Sequence, residues 1–375
     1  MNILRAVDVT TGVALIPVVE QALAGGAAML PVPAADARQS ELLRTALRAG
    51  HEIDDDVAFV VGTSGTTGVP KGALLTGAAL TASARATHTR LGGPGSWLLA
   101  LPAYHVAGLQ VVIRSVLAGT TPVEVDVSQG FDVADLPAAV AAMGSGRRYT
   151  SLVAPQLAKA LTDPAAAEAL AALDAVLLGG GPAPAQVLDN AAAAGIVVVR
   201  TYGSSETSGG CVYDGVPLDG VLVRIDDGRV ILGGPTLAKG YRNIPGDDPF
   251  ADPGWFRTDD AGVLEDGVLR VVGRIDEAIT TGGLKVLPQP VEAVLLTHPA
   301  VADAAVFGLP DDRLGQRVAA AVVAAGAAPT LADLKAHVAQ SLDPTAAPRE
   351  LHLLDELPRR GIGKLDRRAL VARFS

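Results

Sequence analysis

The chain has 375 residues, of which 49% are hydrophobic and 3% aromatic, and its formal net charge at pH 7 is −10. This length is sufficient for two domains with substantial cores, whereas the acidic balance argues against a general nucleic-acid partner, which would favour a basic surface. A single cysteine, Cys211, excludes an internal disulfide and a cysteine-rich zinc site.

The apolar residues do not form a segment suited to a membrane. No apolar stretch reaches the roughly eighteen residues of a transmembrane helix, because charged or helix-breaking residues interrupt each one. Asp8 and Glu20 bracket the only candidate leader segment, which also lacks a basic start. We therefore expect a cytoplasmic protein with no membrane insertion.

The first informative element is an apolar strand, 57–61, followed by a segment rich in glycines and hydroxyl groups. The glycines permit positive φ and close backbone approach, while the hydroxyls and Lys71 supply donors and charge, which predicts a phosphate-binding loop. It is not a Walker motif, since Pro70 precedes the lysine and Gly72 follows it, so a helix cannot start there. A flexible surface loop is the alternative interpretation. The candidate ligand-binding residues are Thr63, Ser64, Gly65, Thr66, Thr67, Gly68 and Lys71.

Further along the chain, short strands rich in Val, Ile and Leu alternate with alanine-rich amphipathic helices. The strands predicted at 151–154 and 175–178 are followed by helices at 156–161 and 185–194. Such alternation is typical of an α/β fold with a largely parallel sheet.

The pattern changes to closely spaced strands around 218–272. Asp227-Gly228 and Asp266-Gly267 indicate two-residue hairpin turns there. A second, smaller α+β unit is predicted after residue 275, with helices and strands at 291–298, 304–307, 318–323 and 331–341. We therefore predict an N-terminal domain over 1–275 and a C-terminal domain over 276–375.

A polar segment, Arg200–Thr207, follows a strand predicted at 196–199. Open α/β sheets bind ligands at the carboxyl ends of their strands, so we expect a ligand site here. Glu206 offers a hard oxygen ligand of the type that Mg²⁺ prefers, although an isolated glutamate would be a solvated loop or helix-cap residue. Three glycines that end another predicted strand are a weak signal by themselves: Gly179, Gly180 and Gly181.

These motifs resemble those of the adenylate-forming superfamily, which contains acyl-CoA synthetases, amino-acid adenylation domains and luciferases. The segment 63–72 is similar to the superfamily's signature, and 202–206 to its Tyr-Gly-x-Thr-Glu element, with Ser205 in the threonine position. Six such elements follow in family order between residues 63 and 367. The resemblance implies a large N-terminal domain of mixed, largely parallel sheets flanked by helices, and a small, mobile α+β C-terminal domain.

The resemblance also implies residues that bind ATP and AMP. Tyr202 would contact adenine, Ser205 the α-phosphate and Glu206 the Mg²⁺ ion. Asp260 takes the place of the aspartate that binds both ribose hydroxyls, although Asp259 replaces the glycine that usually precedes it. Beyond the loop residues named above, the implied nucleotide-binding set is Gly179, Gly180, Gly181, Tyr202, Gly203, Ser205, Asp260 and Arg274.

For the C-terminal domain the resemblance implies a hinge, a tunnel and a catalytic lysine. Asp276 matches the hinge residue. The segment 358–367 is similar to the final family motif, in which a lysine, here Lys364, bridges the carboxylate and the α-phosphate, because charge on a transferring phosphoryl group needs a positioned cation. An isolated lysine there would instead be solvated. The tunnel for the pantetheine arm of coenzyme A would be lined by Gly282, Gly283 and Lys285.

The implied reaction uses ATP, Mg²⁺ and coenzyme A. A carboxylate attacks the α-phosphate to form an acyl-adenylate and pyrophosphate, and a thiol then attacks the mixed anhydride. The catalytic residues implied are Lys364, Glu206 and His105. The chain contributes positioning and charge neutralisation rather than a nucleophile.

The segment 101–109 narrows the class of acid. It lacks the aspartate with which amino-acid adenylation domains hold the substrate ammonium group. It contains His105 where acyl- and aryl-CoA ligases place a histidine beside the acyl pocket, although a histidine hydrogen-bonded beneath a loop is the alternative. The expected pocket residues are His105, Leu109, Ser151, Ser204 and Gly209.

This segment, the loop 282–286 and the short N-terminus resemble the actinobacterial 2-succinylbenzoate–CoA ligases of menaquinone synthesis. Members of the superfamily usually carry a longer segment before the glycine-rich loop, so part of the N-terminal domain is expected to be absent or reduced. Two other functions stay open: a ligase for another carboxylic acid, and a nucleotide-binding protein that has lost catalysis. The oligomeric state is also open, with a homodimer as one option.

Overall fold

A computed structural model of the chain describes residues 2–63, 70–243, 247–360 and 364–375, and the side chains of Arg360 and Lys364 lie outside this description. The chain divides into two compact units. The first comprises 1–224, 231–257 and 266–269, and the second comprises 225–230, 258–265 and 270–375. The single domain boundary expected at 275 stays a prediction.

The sheets of the first unit mix parallel and antiparallel strands, which confirms the predicted α/β class. In the described part of the larger sheet the order is Val216–Pro217, Gly209–Tyr213, Val198–Ser204, Ala175–Gly179, Arg148–Val153, Ser96–Leu99 and Val123–Glu124. The last five of these strands pair in parallel, and the first two pair antiparallel. Another sheet has the order Arg5–Val9, Met29–Pro33, Val57–Thr63 and Lys71–Thr76, and Asn2–Ile3 pairs with Glu52–Ile53.

Helices alternate with these strands, as the sequence predicted. The helix expected at 156–161 begins slightly earlier, because Pro155 suits its first turn and the Gln156 Oε1 atom accepts the backbone N–H of Val153 at 3.0 Å. Leu152, Val176 and other apolar residues of the parallel strands form a buried core with these helices. The helices of the first unit are Ile16–Leu23, Ala37–Ala46, Gly77–Arg90, Val106–Ala118, Leu136–Ala142, Ala154–Ala160, Pro164–Ala171 and Ala185–Ala193.

One strand end was predicted wrongly, and it lies at the expected ligand site. The strand expected at 196–199 runs instead from Val198 to Ser204. It continues because Thr201–Ser204 pairs antiparallel with Gly209–Tyr213, a partner that the local pattern of residues does not reveal. The Tyr-Gly-Ser segment is therefore a strand with a register irregularity between Tyr202 and Gly203 rather than a loop.

The second unit has the predicted α+β character. Its main sheet, as described, has the order Leu284–Val286, Ile279–Thr281, Gly315–Ala324 and Val301–Asp311, with Glu350–Leu353 parallel to Gly315–Ala324. Its helices are Pro288–Leu295, Leu331–Val338 and Arg367–Phe374, and Arg359–Arg360 pairs antiparallel with Lys364–Leu365. Because alternate residues of a strand face opposite sides, Val318 and Ala320 join one apolar cluster and Ala319 and Ala321 another.

The residues of four further strands are divided between the units: Leu222–Asp226, Arg229–Gly233, Trp255–Glu265 and Val268–Arg274. Both predicted two-residue turns are confirmed, since Asp227 and Gly228 have φ of 47° and 75°, and Asp266 and Gly267 have φ of 50° and 78°. Short 3-10 turns occur at Val13–Leu15, Val133–Asp135, Ser205–Thr207, Ile275–Glu277 and Pro344–Ala346. Within the described ranges, no helix has the length and apolar character needed to cross a bilayer.

Candidate functional site

The predicted phosphate-binding loop joins two paired strands of the first unit. Thr63 ends one strand and Lys71 begins the next, and these two residues are antiparallel partners. The Thr63 hydroxyl also donates to the Lys71 carbonyl oxygen at 3.3 Å. The ends of the loop are therefore held together. The other predicted loop residues, Ser64, Gly65, Thr66, Thr67 and Gly68, lie outside the described residues.

Asn243 holds the C-terminal end of this loop, a role that its sequence context does not indicate. Its Oδ1 atom accepts the backbone N–H of Gly72 at 3.1 Å, and its Nδ2 atom donates to the carbonyl oxygen of Pro70 at 2.9 Å. The same amide group donates to the carbonyl oxygen of Ala46. One side chain thus anchors the end of the loop to a neighbouring helix.

Glu206 lies in the 3-10 turn that follows the strand Val198–Ser204, and it is 7% exposed. Its Oε1 atom accepts a hydrogen bond from the Tyr241 hydroxyl at 2.6 Å. The Nζ atom of Lys71 lies 5.1 Å from the centre of the Tyr241 ring, within the range of a cation–π contact. The structure therefore brings Lys71 and Glu206 to opposite parts of one tyrosine, which was not among the predicted site residues.

The strand that leads to Glu206 approaches its neighbour unusually closely. Gly203 has a φ of 155°, and a Cβ atom there would lie 2.3 Å from the carbonyl oxygen of Gly209. Only glycine fits that position. Tyr202, which precedes Gly203, and Ser205, which is two residues after it, are half-buried. In the adjacent parallel strand, a Cβ atom on Gly179 would lie 2.6 Å from the Thr201 hydroxyl, so this glycine also permits a close approach.

The other two of the three glycines predicted to bind the nucleotide, Gly180 and Gly181, lie just beyond that strand. Gly180 has a φ of 82°, and Gly181 has open space at its Cβ position. Bare backbone with open space is a surface on which a flat base can lie.

His105 immediately precedes the helix Val106–Ala118 and is half-buried, with its ring 4.6 Å from that of Tyr104. One turn into the helix, Leu109 is fully buried. The next residue, Gln110, donates to the carbonyl oxygen of Ser208 at 2.8 Å. This bond connects the His105 helix to the segment 204–209, and so supports the grouping of His105, Leu109, Ser204 and Gly209 that the sequence predicted.

Two predicted pocket hydroxyls are buried. Ser151 lies inside the parallel strand Arg148–Val153 and is 7% exposed. The hydroxyl of Ser204 is buried and has no hydrogen-bond partner among the described residues. Ser204 is therefore able to donate to a ligand or a water molecule.

In the helix Val106–Ala118, which follows His105, Arg114 is a buried cation that the sequence analysis did not select. It is 3% exposed and has no carboxylate partner in the described part of the chain. Its guanidinium lies 5.0 Å from the Trp97 ring and 3.5 Å from the Tyr213 hydroxyl, and its Nε atom is unpaired. Burial lowers the pKa of Arg114. A buried cation of this kind favours a bound anion.

His88 lies near this arginine. Burial, together with the charge of Arg114, lowers the pKa of His88 from 6.5 to about 4. The imidazole is therefore neutral at physiological pH, and its ring centre lies 6.4 Å from that of Trp97.

Asp260 and Arg274, both predicted to bind the nucleotide, lie in the second unit and contact each other. Arg274 makes two hydrogen bonds to the Asp276 carboxylate, at 2.9 and 3.0 Å, and its Nη1 atom donates to Asp260 at 3.2 Å. Burial acts to lower the pKa of Arg274, but the carboxylates of Asp276, Asp260 and Asp259 raise it above its ordinary value. Asp259, in the usual place of a glycine, lies in the strand Trp255–Glu265 and has ordinary backbone φ.

The predicted tunnel residues form the tip of a hairpin in the second unit. Gly282 and Gly283 have φ of 57° and 82°, as a tight two-residue turn between Ile279–Thr281 and Leu284–Val286 requires. Lys285 is exposed and borders a groove of about 420 Å³ that Leu284, Pro290 and Leu342 also line. Lys364 begins the short strand Lys364–Leu365, and its side chain lies outside the description.

The described residues contain no group of three or more His, Cys, Asp or Glu side chains arranged to hold a metal ion. Mg²⁺ is often bound by one or two carboxylates together with substrate phosphates, so a single glutamate is a sufficient protein contribution. Glu206 has the required chemistry, since only its Oε1 atom accepts a hydrogen bond from a described residue.

The family model described as AMP-binding enzyme matches residues 18–242, and that described as AMP-binding enzyme C-terminal domain matches residues 290–364. A probable 2-succinylbenzoate–CoA ligase of Mycobacterium tuberculosis is 66% identical over 382 aligned positions, which cover 99% of each chain.

Solved structures of a Bacillus subtilis protein are also similar. o-Succinylbenzoate CoA synthetase (MenE) in complex with the acyl-adenylate intermediate OSB-AMP is 29% identical, with a TM-score of 0.74 over 95% of this chain and 80% of that chain. The same protein in complex with ATP and magnesium ion gives 29% identity and a TM-score of 0.73, over 93% of this chain and 80% of that chain.

Proposed function

Because the chain belongs to the AMP-binding enzyme family, we propose that it is an AMP-forming ligase that converts 2-succinylbenzoate to its CoA thioester through an acyl-adenylate. The observation that carries this proposal is the 66% identity, over 99% of both chains, to the Mycobacterium tuberculosis protein of that probable activity. The product would serve menaquinone synthesis.

In the first half-reaction a carboxylate oxygen of the acid forms a bond to the α-phosphorus of ATP, and the bond between that phosphorus and pyrophosphate breaks. The negative charge of the reacting phosphates must be met by positioned donors and cations. We assign this task to Lys71, the hydroxyls of the glycine-rich loop and Lys364. The anchoring of the loop by Asn243 supports the assignment, because positioned donors need a fixed backbone.

Glu206 would hold Mg²⁺ between its carboxylate and the phosphates of ATP. The ion, when bound, neutralises phosphate charge. Burial of Glu206 and its hydrogen bond from Tyr241 support this assignment, since both restrict the carboxylate to one orientation.

The AMP part of ATP has three groups to be held. We assign adenine to Tyr202 and the turn Gly179–Gly181, and the ribose to Asp260 and Arg274. The α-phosphate is assigned to Ser205, which is two residues after Gly203. The close backbone approach at Gly179 and the contact between Asp260 and Arg274 support these roles. The pairing of Arg274 with Asp276, the proposed hinge residue, joins nucleotide binding to that hinge.

In the second half-reaction the CoA thiol attacks the acyl carbon, and AMP leaves. We assign the passage of the pantetheine arm to Gly282 and Gly283, with Lys285 at its edge. The absence of side chains at two successive positions of the hairpin tip supports this, because a thin chain passes bare backbone without steric conflict.

The acid would lie beside His105 and Leu109, with the hydroxyls of Ser151 and Ser204 available as donors. 2-Succinylbenzoate has two carboxylates, so the group that does not react needs a partner. We propose Arg114, the buried arginine in the helix that follows His105. One turn before it in that helix, Gln110 donates to the carbonyl oxygen of Ser208, in the segment 204–209. A buried arginine without a carboxylate partner suits a dicarboxylate better than benzoate or a fatty acid.

Two alternatives keep the fold and change the activity. A ligase for another carboxylic acid would use the same nucleotide residues with a different pocket preference. A nucleotide-binding protein without catalysis would bind ATP and release no pyrophosphate. The co-occurrence of Lys71, Glu206 and Lys364 favours catalysis over the second alternative.

The test is pyrophosphate release by the purified protein with MgATP, measured for 2-succinylbenzoate, benzoate, short fatty acids and amino acids, with and without CoA. Selective turnover of 2-succinylbenzoate, with a CoA-dependent thioester product, is the expected result. Selective turnover of a different acid would keep the proposed reaction but show that 2-succinylbenzoate is not the substrate. ATP binding without pyrophosphate release for any acid would contradict the proposed activity.

A cytoplasmic location fits a reaction that consumes ATP and CoA. A homodimer stays a hypothesis that sedimentation of the purified protein decides.

A further inference from the structure

Arg367, the first residue of the C-terminal helix, is hydrogen-bonded in the second unit through every nitrogen of its guanidinium group. Its Nη2 atom donates to both oxygens of Glu292 at 2.7 Å, and its Nη1 atom donates to Glu277 at 2.7 Å. Its Nε atom donates to the carbonyl oxygen of Val306 at 3.1 Å. The arginine is 16% exposed, so these are largely desolvated contacts that hold it in one place.

Each carboxylate also has a partner other than Arg367. Glu292 accepts the backbone N–H of Val306 at 2.7 Å, so it is fixed to the strand Val301–Asp311. Burial raises the pKa of Glu292, and the charge of Arg367 acts in the opposite direction. Glu277 accepts a hydrogen bond from the amide of Gln289. Because Arg367 lies between two acids, removing it would leave two carboxylates close together.

Gln289 extends this network to the turn that precedes the second unit's main sheet. Its Oε1 atom accepts the backbone N–H of Arg274 at 3.2 Å. A Cβ atom on Gly273 would lie 2.5 Å from that same oxygen, so the glycine is what allows Gln289 to come so near. A continuous path of hydrogen bonds therefore runs from Arg274 through Gln289 and Glu277 to Arg367.

The other end of this path is close to Lys364 along the chain. Arg367 is three positions beyond Lys364, and such a segment spans at most about 10 Å. Between them, Asp366 caps the C-terminal helix by accepting the backbone N–H of Ala369, and its own N–H donates to the carbonyl oxygen of Pro358. Fixing Arg367 therefore restricts where the Lys364 backbone can lie.

We propose that Arg367 is a positioning residue for Lys364, and that its bond to Glu277 ties the lysine's segment to the turn 273–277 so that Lys364 and Arg274 move together. The role of Lys364 in this inference rests on the proposed function, whereas the tie itself does not. The tie matters because a catalytic cation has to be held at a fixed distance from the reacting phosphate. Displacement of a catalytic group by about 1 Å can lower the rate about a hundredfold.

Arg367→Gln tests the inference by kinetics. We expect the kcat of adenylation to fall about 10- to 100-fold, with the KM for ATP changed less than about threefold. Thioester formation from supplied acyl-adenylate should be retained. Arg368→Gln is the matched control, because Arg368 is adjacent, exposed and outside the network. An equal loss in both half-reactions would overturn the positioning role and indicate general damage to the second unit.

Glu277→Gln provides a second, milder variant, because it keeps the side-chain shape and removes only the charge. If the two residues act through one contact, the double variant should be no slower in adenylation than Arg367→Gln alone. Additive losses would overturn the tie.

Hydrogen exchange of the full-length protein without substrates gives a readout independent of activity. In Arg367→Gln, the amides of 275–277 and of 365–374 should exchange faster, while those of the central strand Gly315–Ala324 should not change. Faster exchange in the C-terminal helix alone would overturn the inference. If the wild-type protein proves inactive on every acid, the proposed function fails, but this comparison still decides whether the tie exists.

Discussion

The hydroxyl of Tyr241 lies 2.6 Å from the Oε1 atom of Glu206, although the two residues are 35 positions apart in the chain. The ring of the same tyrosine lies 5.1 Å from the Lys71 Nζ atom. Tyr241 therefore contacts the proposed metal ligand through its polar end and the proposed phosphate-binding cation through its face.

Tyr241→Phe should weaken Mg²⁺ binding while leaving the contact with Lys71. The ring is kept, but the buried carboxylate loses a hydrogen bond worth about 1.5–3 kcal/mol, and its orientation is no longer fixed. We expect the Mg²⁺ concentration for half-maximal pyrophosphate release to rise about tenfold. Calorimetric titration of ATP should show a matching loss of affinity in the presence of Mg²⁺ and little change in its absence. An unaltered Mg²⁺ dependence would exclude the proposed role.

Arg114→Met should reduce selectivity for an acid with two carboxylates. Methionine has a similar length and no charge, so the unreacted carboxylate would lose its partner, a loss of about 2–5 kcal/mol for a buried charged pair. We expect kcat/KM for 2-succinylbenzoate to fall at least about 30-fold relative to that for benzoate. Arg85→Met, an exposed position on the helix Gly77–Arg90, serves as the control. If activity with both acids falls by the same factor, Arg114 supports the fold and not the substrate.

Lys364→Ala should separate the two half-reactions. The rate of adenylate formation should fall at least about a hundredfold, because the carboxylate and the α-phosphate lose a positioned cation. Thioester formation from supplied acyl-adenylate should be largely intact, since the lysine is expected to leave the site when the smaller domain moves. Lys335→Ala, an exposed lysine of the same unit, is the matched control. Equal losses in the two steps would contradict the movement.

The lowered pKa of His88 predicts how the free energy of unfolding depends on pH. Its pKa is about 4 in the folded protein and 6.5 when exposed, so the neutral imidazole contributes fully to stability above pH 6.5. As the pH falls from 6.5 to 4, the unfolded chain takes up a proton that the folded protein does not, and the contribution is lost. We expect that loss to be about 1–3 kcal/mol.

The measurement is urea unfolding of the wild type and His88→Leu between about pH 7 and about pH 4.5. The stability of the wild type should fall relative to the variant as the pH decreases. His51→Leu, at an exposed position, should follow the wild type. Parallel curves for the wild type and His88→Leu would show that His88 is protonated normally.

The sequence was sufficient to predict those features that depend on residues close together in the chain. The turns at Asp227-Gly228 and Asp266-Gly267 follow from the conformations these residues adopt easily, and the alternation of strands and helices follows from hydrophobic periodicity. Glu206 and Lys71 could be selected because each lies within a contiguous motif.

Residues that act through distant contacts could not be found in the same way. Asn243 reaches Gly72 across 171 positions, and nothing in its local sequence indicates that contact. Arg114 is one residue of an ordinary apolar helix. It becomes informative only because it is buried and has no carboxylate partner among the residues that the structure describes. The strand expected to end at Val199 continues to Ser204 for the same reason, since its antiparallel partner lies farther along the chain.

Cys211, the one sulfhydryl group in the sequence, lies in the strand Gly209–Tyr213 and is 1% exposed. Burial raises its pKa to about 12, so at neutral pH the sulfur is almost entirely in its protonated, unreactive form. An activated acyl group is a strong acylating agent, and a reactive protein thiol beside it would become covalently modified. Because its sulfur is protonated and enclosed, Cys211 would not compete with coenzyme A for the acyl group of the proposed acyl-adenylate.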